Sequence, residues 1–371
     1  MKNGEIYLRR LIFCFRVFPL TAIPLLFIFT QAFGAEWHVS QSGGDFTTIQ
    51  SAINAMATAD GDTIWVDAGT YRENVVVNRP VIIRSQHGYA STTVEAANPA
   101  YPGFTVTADQ VTIRGFTVYG TTGNGSGDAG IYLDNYTQYC TIADNRCGYD
   151  AAHHSDYGIS VNHSGPGHNI SNNICNANTY YGIHLNNSNA DTILGNICAN
   201  NGMGGISLIA VTNITVIGNN CEANAVFGLD QSGAVNCAAI GNTFSGNLIG
   251  LWTSGGSSNT FYFNNFNSNE TNFYSFDSAN NWRSPTRVSY IYNGALHSGY
   301  LGNFYANHDL SDTDGDGVTD APYADDEYPL AAASGNYSLV ILPLLAGDVD
   351  GDGDVDGFDL SGLSRNFGMN Y

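Results

Sequence analysis

Residues 182–219 have the sequence GIHLNNSNADTILGNICANNGMGGISLIAVTNITVIGN, in which a glycine followed by an apolar residue recurs. This pair occurs six times along the chain, at intervals of 28, 24, 23, 23 and 22 residues. Its members are Gly130-Ile131, Gly158-Ile159, Gly182-Ile183, Gly205-Ile206, Gly228-Leu229 and Gly250-Leu251. A column of asparagines accompanies it, at intervals of 28, 23, 23, 23 and 23 residues: Asn145, Asn173, Asn196, Asn219, Asn242 and Asn265. Such a period indicates structural repeats that stack.

Within each unit the apolar residues alternate with period 2, which is typical of β-strands. A unit of two or three short strands cannot bury its apolar face alone, so it must stack on its neighbours. We therefore predict an all-β protein, a parallel β-helix over residues 61–283. The asparagines are predicted to hydrogen-bond from coil to coil at a turn. Before the β-helix, Ile49, Ala52 and Ile53, continued by Met56, predict an amphipathic helix that caps its open end within residues 35–60.

The charge balance excludes one class of partner. The 371 residues carry 33 Asp and Glu against 12 Lys and Arg, a net charge of −21, and Lys2 is the only lysine. Because affinity for phosphate rests on Lys and Arg, we expect no binding to nucleic acid.

The N-terminus has the pattern of a signal peptide. Residues 1–34 combine a basic start with an apolar stretch from Val17 to Phe29, and small residues precede a cleavage point before Ala35. The alternative is an uncleaved membrane anchor, but the stretch is short for a span of about 20 residues. We predict no membrane span in the mature chain, and a secreted, periplasmic or cell-surface location.

Several segments resemble a known group of proteins. The segment from Asp45 to Ile53, the segment Gly61–Val66 and the segment Gly69–Asn74 look like the start of right-handed parallel β-helix proteins of the pectin-lyase-like superfold. The repeat resembles that of the NosD-like, carbohydrate-binding and sugar-hydrolase branch. This resemblance covers roughly residues 36–330. It implies a right-handed helix closed by a C-terminal module over residues 284–336. Beyond that module we expect a linker over 337–347 and a further segment over 348–371.

Two acidic loops predict calcium sites, since Ca²⁺ takes six to eight oxygen ligands from such spacings. In the final segment the carboxylates are those of Asp348, Asp350, Asp352, Asp354, Asp356 and Asp359. That segment resembles a single repeat of a type I dockerin, which implies a cohesin-like module as partner, although dockerins normally have two repeats. The other loop offers Asp312, Asp314, Asp316 and Asp320, with Tyr323 where a bidentate acid would stand. The alternative for both loops is a solvated acidic turn.

A column of cysteines follows the asparagine column. Cys147, Cys175, Cys198 and Cys221 each stand two residues after an asparagine. A straight row cannot converge on a tetrahedral zinc ion. We favour small apolar core side chains over disulfides between neighbouring coils.

The second residue after each repeat glycine is predicted to point outward. This row is Tyr132, Ser160, His184, Ser207, Asp230 and Trp252. Aromatic rings beside polar groups on a long flat face suit a sugar polymer.

One loop beside this row is longer than the others. From Asn145 to Gly158 the interval is 13 residues, and the added residues bring in His153, His154 and Asp156. Asp128 takes the position of Asp156 in the preceding coil.

We expect acid–base groups at Asp156, His184 and Asp230, and contacts to the polymer at Asp128, Tyr132, His153, His154 and Trp252. The alternative is that these histidines and aspartates merely cover a solvated loop and sheet.

Three functions remain open. The first is an exported polysaccharide-binding protein that, if it is an enzyme, is a polysaccharide lyase or glycoside hydrolase. Lyases of this superfold use a basic residue near the groove, and only Arg114 and Arg146 lie in these coils, so binding is better supported than cleavage. The second, implied by the NosD resemblance, is a periplasmic copper accessory protein with His153, His154 and His184 as Cu(II) ligands. The third is a structural or adhesive surface solenoid.

Overall fold

The computed structural model describes residues 34–55, 57–123, 128–276 and 279–340 as a right-handed parallel β-helix with three long faces. The predicted fold class is therefore confirmed. The signal segment through residue 33, Met56, most of the linker and the whole dockerin-like segment, with its predicted ligands Asp348, Asp350, Asp352, Asp354, Asp356 and Asp359, lie outside the described residues.

Sheet 1 has eleven parallel strands, numbered in chain order. They are β1 (Glu36–Val39), β2 (Thr63–Val66), β5 (Ile82–Ser85), β8 (Thr112–Arg114), β11 (Thr141–Ala143), β14 (Asn169–Ser171), β16 (Thr192–Leu194), β19 (Thr215–Ile217), β22 (Ala238–Ile240), β25 (Ser257–Tyr262) and β28 (Ala279–Asn281).

Sheet 2 has nine parallel strands. They are β4 (Val75–Val77), β7 (Phe104–Val106), β10 (Ala129–Leu133), β13 (Tyr157–Asn162), β15 (Tyr181–Asn186), β18 (Gly204–Ile209), β21 (Phe227–Ser232), β24 (Ile249–Ser254) and β27 (Thr271–Phe276).

Sheet 3 is formed by two groups of strands that isolated bridges through Ile174 connect. The first group is β3 (Gly69–Arg72), β6 (Thr92–Glu95), β9 (Thr117–Tyr119) and β12 (Arg146–Cys147). The second group is β17 (Ile197–Ala199), β20 (Asn220–Glu222), β23 (Thr243–Ser245), β26 (Asn265–Asn267) and β31 (Phe304–Tyr305).

Both ends of the β-helix are covered. Helix α1 (Ile49–Asn54) buries Ile49, Ala52 and Ile53, as the sequence predicts, and the Thr48 side chain accepts a hydrogen bond at its N-cap. At the other end β29 (Val288–Tyr292), β30 (Ala295–Gly299) and β32 (Tyr337–Leu339) form an antiparallel sheet beside a short 3₁₀ turn, Ser334–Asn336. No helix in the described ranges is long and apolar enough to cross a membrane.

An asparagine ladder runs along one corner of the β-helix, as predicted, with one correction. Each member donates from its backbone N–H and from Nδ2 to Oδ1 of the next, as Asn196 does to Asn219 at 2.8 and 3.0 Å. Asn242 donates to Asn264 and not to the predicted Asn265. The last repeat is one residue shorter, so Asn265 falls in β26 and pairs with Thr243.

A second ladder, not predicted from the sequence, runs along the corner that leads into sheet 2. Its members are Asn178, Asn201, Asn224, Asn247 and Asn269. Because these side chains satisfy turn backbone that the stack hides from water, each turn is fixed relative to the next.

The cysteine column fills the core under sheet 3. Cys198 and Cys221 stand opposite each other in the β17–β20 pairing, and every cysteine in the described ranges is buried and free. Burial raises the pKa of Cys175, and the contact with Cys198, followed by burial, raises the pKa of Cys221. The structure therefore places small apolar side chains here, as the sequence favours.

Candidate ligand-binding face

The outer face of sheet 2 carries the row that the sequence predicts. Strand pairing aligns its members coil by coil, so each lies directly over the next. We call this row B; it runs through Tyr132, Ser160, His184, Ser207, Asp230 and Trp252, and continues to Tyr274. The alignment follows from the period of the strands, because a one-residue shift would expose the core side.

The middle of row B is more covered than the sequence suggests. His184 and Asp230 are each 9 % exposed, and Ser160 and Ser207 are fully buried. These side chains are shielded from solvent by a neighbouring row of residues that stand just before the repeat glycines. This row, called row A, contains Tyr157, Tyr181, Gly204, Phe227 and Ile249, and strand pairing continues it to Thr271. The sequence signal for row A is the aromatic residue that precedes Gly158, Gly182 and Gly228.

His184 lies among the tyrosine rings of row A. Its ring centroid is 5.1 Å from that of Tyr157 and 6.1 Å from that of Tyr181. Its Nδ1 atom is buried and has no hydrogen-bond partner among the described residues. Burial lowers the pKa of His184 to about 4, so the imidazole is neutral at pH 7.

Asp230 is held by a tyrosine from two coils away. The Tyr181 hydroxyl donates to its Oδ2 at 2.7 Å. Burial raises the pKa of Asp230, while the bonds from Tyr181 and Ser232 lower it in part. Burial, followed by the nearby Asp230, raises the pKa of Tyr181. Since His184 and Asp230 stand two coils apart, about 10 Å along the stack, a proton cannot pass directly between them.

The end of row B is aromatic and more open. The rings of Trp252 and Tyr274 are stacked at 4.6 Å with an interplanar angle of 8°. Tyr274 is 45 % exposed and the neighbouring Phe276 is 58 % exposed. At the opposite end, the half-buried Tyr132 donates from its hydroxyl to Asp134 at 3.4 Å. The face therefore offers flat rings at both ends of a covered polar centre.

Asp128 and Asp156 stand at the start of this face in neighbouring coils, as predicted. The backbone N–H of Tyr157 donates to the Asp128 carbonyl, and the N–H of Tyr180 donates to that of Asp156. Both residues are buried. Burial is the largest cause of the raised pKa of Tyr157, followed by the nearby Tyr180 and then by the two carboxylates. The structure thus brings both acids to the ring that contacts His184.

The long loop places its two histidines, His153 and His154, away from row B. His153 donates from Nδ1 to the Asp150 carboxylate at 2.8 Å, its ring stacks on that of Tyr149 at 4.6 Å, and it meets the Tyr119 ring edge-on. Tyr119 belongs to β9 in sheet 3, so this cluster lies over sheet 3 and not on row B. The Nδ1 atom of His154 is also buried, and no described residue forms a hydrogen bond with it.

The two arginines of these coils also lie away from row B. Arg114 in sheet 1 pairs with Asp144 at 2.6 Å. Arg146 in sheet 3 lies over the Tyr149 ring at 4.4 Å. Neither supplies the basic group that lyases of this superfold use.

The acidic loop of the C-terminal module gathers its carboxylates. Ligand atoms of Asp312, Asp314 and Asp316 lie within 4.8 Å of one another. Asp312 accepts from the backbone N–H groups of Gly315 and Gly317, both in the left-handed region. Burial, followed by Asp314 and Asp312, raises the pKa of Asp316. Asp320 accepts from Thr313 at 3.3 Å across the loop.

Tyr323 has a packing role at the end of this loop. Its ring stacks on Tyr305 at 4.0 Å and its hydroxyl accepts from Asn272 at 3.0 Å. The described residues contain no comparable gathering of three histidines or cysteines.

Comparison with known proteins identifies the family. The sequence pattern described as "Periplasmic copper-binding protein (NosD)" matches residues 54–310, more than half of the chain. The chain belongs to the NosD family. This NosD-family chain is also 34 % identical, over 132 residues, to a cell surface glycoprotein of Methanothermus fervidus. That match covers 35 % of the chain and 21 % of the glycoprotein, so the chain spans about a fifth of that relative.

Solved structures similar to this NosD-family chain are parallel β-helix proteins. The periplasmic alginate epimerase AlgG is 17 % identical, covering 60 % of this chain and 69 % of its own, with a TM-score of 0.45. Pectate lyase Pel9A is 15 % identical, covering 66 % and 76 %, with a TM-score of 0.45. The Azotobacter vinelandii mannuronan C-5 epimerase AlgE6 A-module is 14 % identical, covering 62 % and 94 %, with a TM-score of 0.34.

Proposed function

We propose that this NosD-family protein is exported and binds a polysaccharide along the outer face of sheet 2. The observation that carries the proposal is the stacked pair Trp252 and Tyr274, which continues in register from the polar row through His184 and Asp230. Flat rings pack on the apolar faces of sugar rings, and neighbouring polar groups bond to the hydroxyls. The parallel stack repeats this pattern along one direction, as a polymer requires.

Binding is the activity that the site supports best. Asp230 already accepts from Tyr181, and no arginine lies on row B within the described residues. Cleavage by a lyase or hydrolase mechanism is the stronger claim, and the appearance of unsaturated products or new reducing ends in the binding assay would establish it. Asp156, His184 and Asp230 are then the residues to replace.

The test compares two tryptophans. The mature protein is run through gels that contain soluble polysaccharides, and retardation is measured. Trp252→Ala should lose retardation by the ligand that slows the wild type. Trp65→Ala is the matched control, because Trp65 lies on sheet 1, where the Arg84 guanidinium covers its ring at 4.3 Å. Equal retardation of both variants would contradict the proposal.

Calcium is proposed as a structural ion of the C-terminal module, held by Asp312, Asp314, Asp316 and Asp320. Hard carboxylate oxygens crowded around one point suit Ca²⁺, and a cation would relieve the repulsion that contributes to the raised pKa of Asp316. The dockerin-like segment and its cohesin-like partner remain a separate proposal, which a pull-down with a cohesin module tests.

Copper is the second candidate, because the family description names it. Cu(II) prefers imidazole donors. His153 lies over sheet 3 and His184 lies under the row A tyrosines, so the described residues do not converge as a copper site. A copper titration followed by absorbance decides: a stoichiometric visible band that His184→Gln removes would favour copper over the glycan proposal.

A secreted, periplasmic or cell-surface location is proposed with this function. The family description is periplasmic, and the Methanothermus fervidus relative is a cell surface protein. Fractionation of expressing cells tests it.

A further inference from the structure

The outer face of sheet 2 has an unusual charge distribution. Between Arg146 and Arg283 the sequence contains neither arginine nor lysine. The six strands from β13 to β27 that follow β10 in sheet 2 all come from this span. Upstream, Arg84 and Arg114 belong to sheet 1, and Arg72 belongs to sheet 3, where it pairs with Glu95 at 3.0 Å.

The titratable groups on this face do not replace the missing cations. His184 is covered by Tyr157 and Tyr181 and is neutral at pH 7. Asp230 is buried and accepts a hydrogen bond from the Tyr181 hydroxyl. Asp128 and Asp156, at the start of the face, are acidic and buried. A carboxylate or sulfate brought to this face would therefore meet carboxyl groups and no fixed positive charge.

The same surface is well suited to an uncharged sugar. Stacked rings at Trp252 and Tyr274 supply apolar contact, and the adjacent Ser232 and Ser254 supply hydroxyls that already lie 3.3 Å from each other. A cationic sugar would gain little over the centre of the face, since Asp230 is buried and held by Tyr181 and the half-buried Asp134 lies at the β10 end, bonded to Tyr132.

We infer that the ligand of this face is an uncharged glycan, without carboxylate, sulfate or free amino groups. This inference rests on the proposed function, because it specifies the polymer that the same face binds. The feature that distinguishes this chain from a binder of uronate polymers is the absence of Arg and Lys from six consecutive coils, and not the fold.

The experiment measures the affinity of the mature protein for three kinds of probe. These are uncharged polymers (laminarin and galactomannan), polyuronates (polygalacturonate and alginate) and the cationic polymer chitosan. Each is tested at several salt concentrations, once with calcium and once with EDTA. We expect an uncharged polymer to bind at least about tenfold more tightly than either charged class. Its affinity should not change with salt, because no ion pairs form.

A gain-of-charge variant sharpens the result. Ile209→Arg places a cation at the exposed end of β18, beside Ser232 of the next strand. It should raise the affinity for polyuronates and leave the affinity for the uncharged polymer within about a factor of three. Ser338→Arg, in β32 of the antiparallel sheet, is the control and should change neither.

The outcomes separate the two claims. Tighter binding of a polyuronate, with calcium or without it, or of chitosan, overturns the inference but leaves polysaccharide binding standing. Loss of that binding in Trp252→Ala would show that it uses the same face. No binding of any polymer overturns the proposed function and this inference together.

Discussion

The hydroxyl of Tyr181 donates a hydrogen bond to Oδ2 of Asp230 at 2.7 Å, across two coils of the β-helix. The tyrosine ring reaches that far because row A has a glycine, Gly204, in the intervening coil. A Cβ there would stand 2.7 Å from Cε1 of Tyr181. The Tyr181 side chain thus lies across the intervening coil and holds a buried carboxyl group of the next coil on the proposed binding face.

Removing this hydroxyl should destabilise the protein. In Tyr181→Phe the buried Asp230 loses its closest partner, so we expect the free energy of unfolding to fall by about 1–3 kcal/mol. Chemical denaturation followed by tryptophan fluorescence measures it. Tyr136→Phe is the control, because Tyr136 is 82 % exposed and should unfold like the wild type. Equal stability of the two variants would show that the bond contributes nothing.

Filling the space over Gly204 should have a related effect. In Gly204→Ala the new methyl group meets Tyr181 and the Phe227 carbonyl oxygen, 3.0 Å away, so the tyrosine must move. We expect a loss of about 1–3 kcal/mol of stability. In a double-mutant cycle, Tyr181→Phe should cost less in the Gly204→Ala background than alone. Gly335→Ala, which meets no atom within 4 Å, is the control; additive costs would argue against a shared cause.

The corrected ladder register can be tested by alanine substitution. Asn264→Ala removes the acceptor of two bonds from Asn242, 2.9 and 3.0 Å long, and leaves those donors buried. We expect a loss of more than about 3 kcal/mol, since each unsatisfied buried group costs about 1–3 kcal/mol. Asn265→Ala, which loses half-buried bonds to Ser334, should cost less. The opposite order of the two costs would restore Asn265 to the ladder.

Acid should destabilise the fold through its buried histidines. Burial lowers the pKa of His184 and of His168 from 6.5 to about 4. The unfolded chain takes up these protons first, so the stabilisation is complete above about pH 6.5 and is lost as the pH falls towards 4. The slope is at most about 1.4 kcal/mol per pH unit for each histidine. His184→Gln should reduce it, whereas the exposed His87→Gln should not; an unchanged slope in His184→Gln would contradict the assignment.

Calcium should raise the melting temperature through the C-terminal loop, and EDTA should reverse the effect. An ion at a hundred times its Kd adds about 2.7 kcal/mol. Asp314→Asn is the variant of choice, because Asp314 makes one long bond within the loop, 3.3 Å to the Asp316 N–H, so its loss disturbs the turn little.

Asp309→Asn is the matched control outside the cluster, because within the part of the chain that the structure describes its carboxylate accepts hydrogen bonds from Ser311 alone. It should keep the calcium response that Asp314→Asn loses. Melting curves of the wild type that coincide with and without calcium would remove the ion from this loop.

The fold could be predicted from the sequence because the repeat is local. Alternating apolar residues such as Ile183 and Leu185, and an asparagine at each turn, recur with nearly constant spacing, and only stacking satisfies both. The same period predicts the register of row B from Tyr132 to Trp252, and the strand pairing confirms it. The prediction from this period is wrong at Asn265, because the last coil is one residue shorter and Asn264 takes the ladder position.

What only the tertiary structure decided is how side chains reach across coils. The sequence places Tyr181, Gly204 and Asp230 in three successive repeats, but it does not say that the ring of the first lies across the second to meet the third. Nor does it say that the loop turns His153 onto sheet 3. Strand position follows from a short-range pattern, whereas these contacts depend on rotamers and packing between residues up to 49 positions apart.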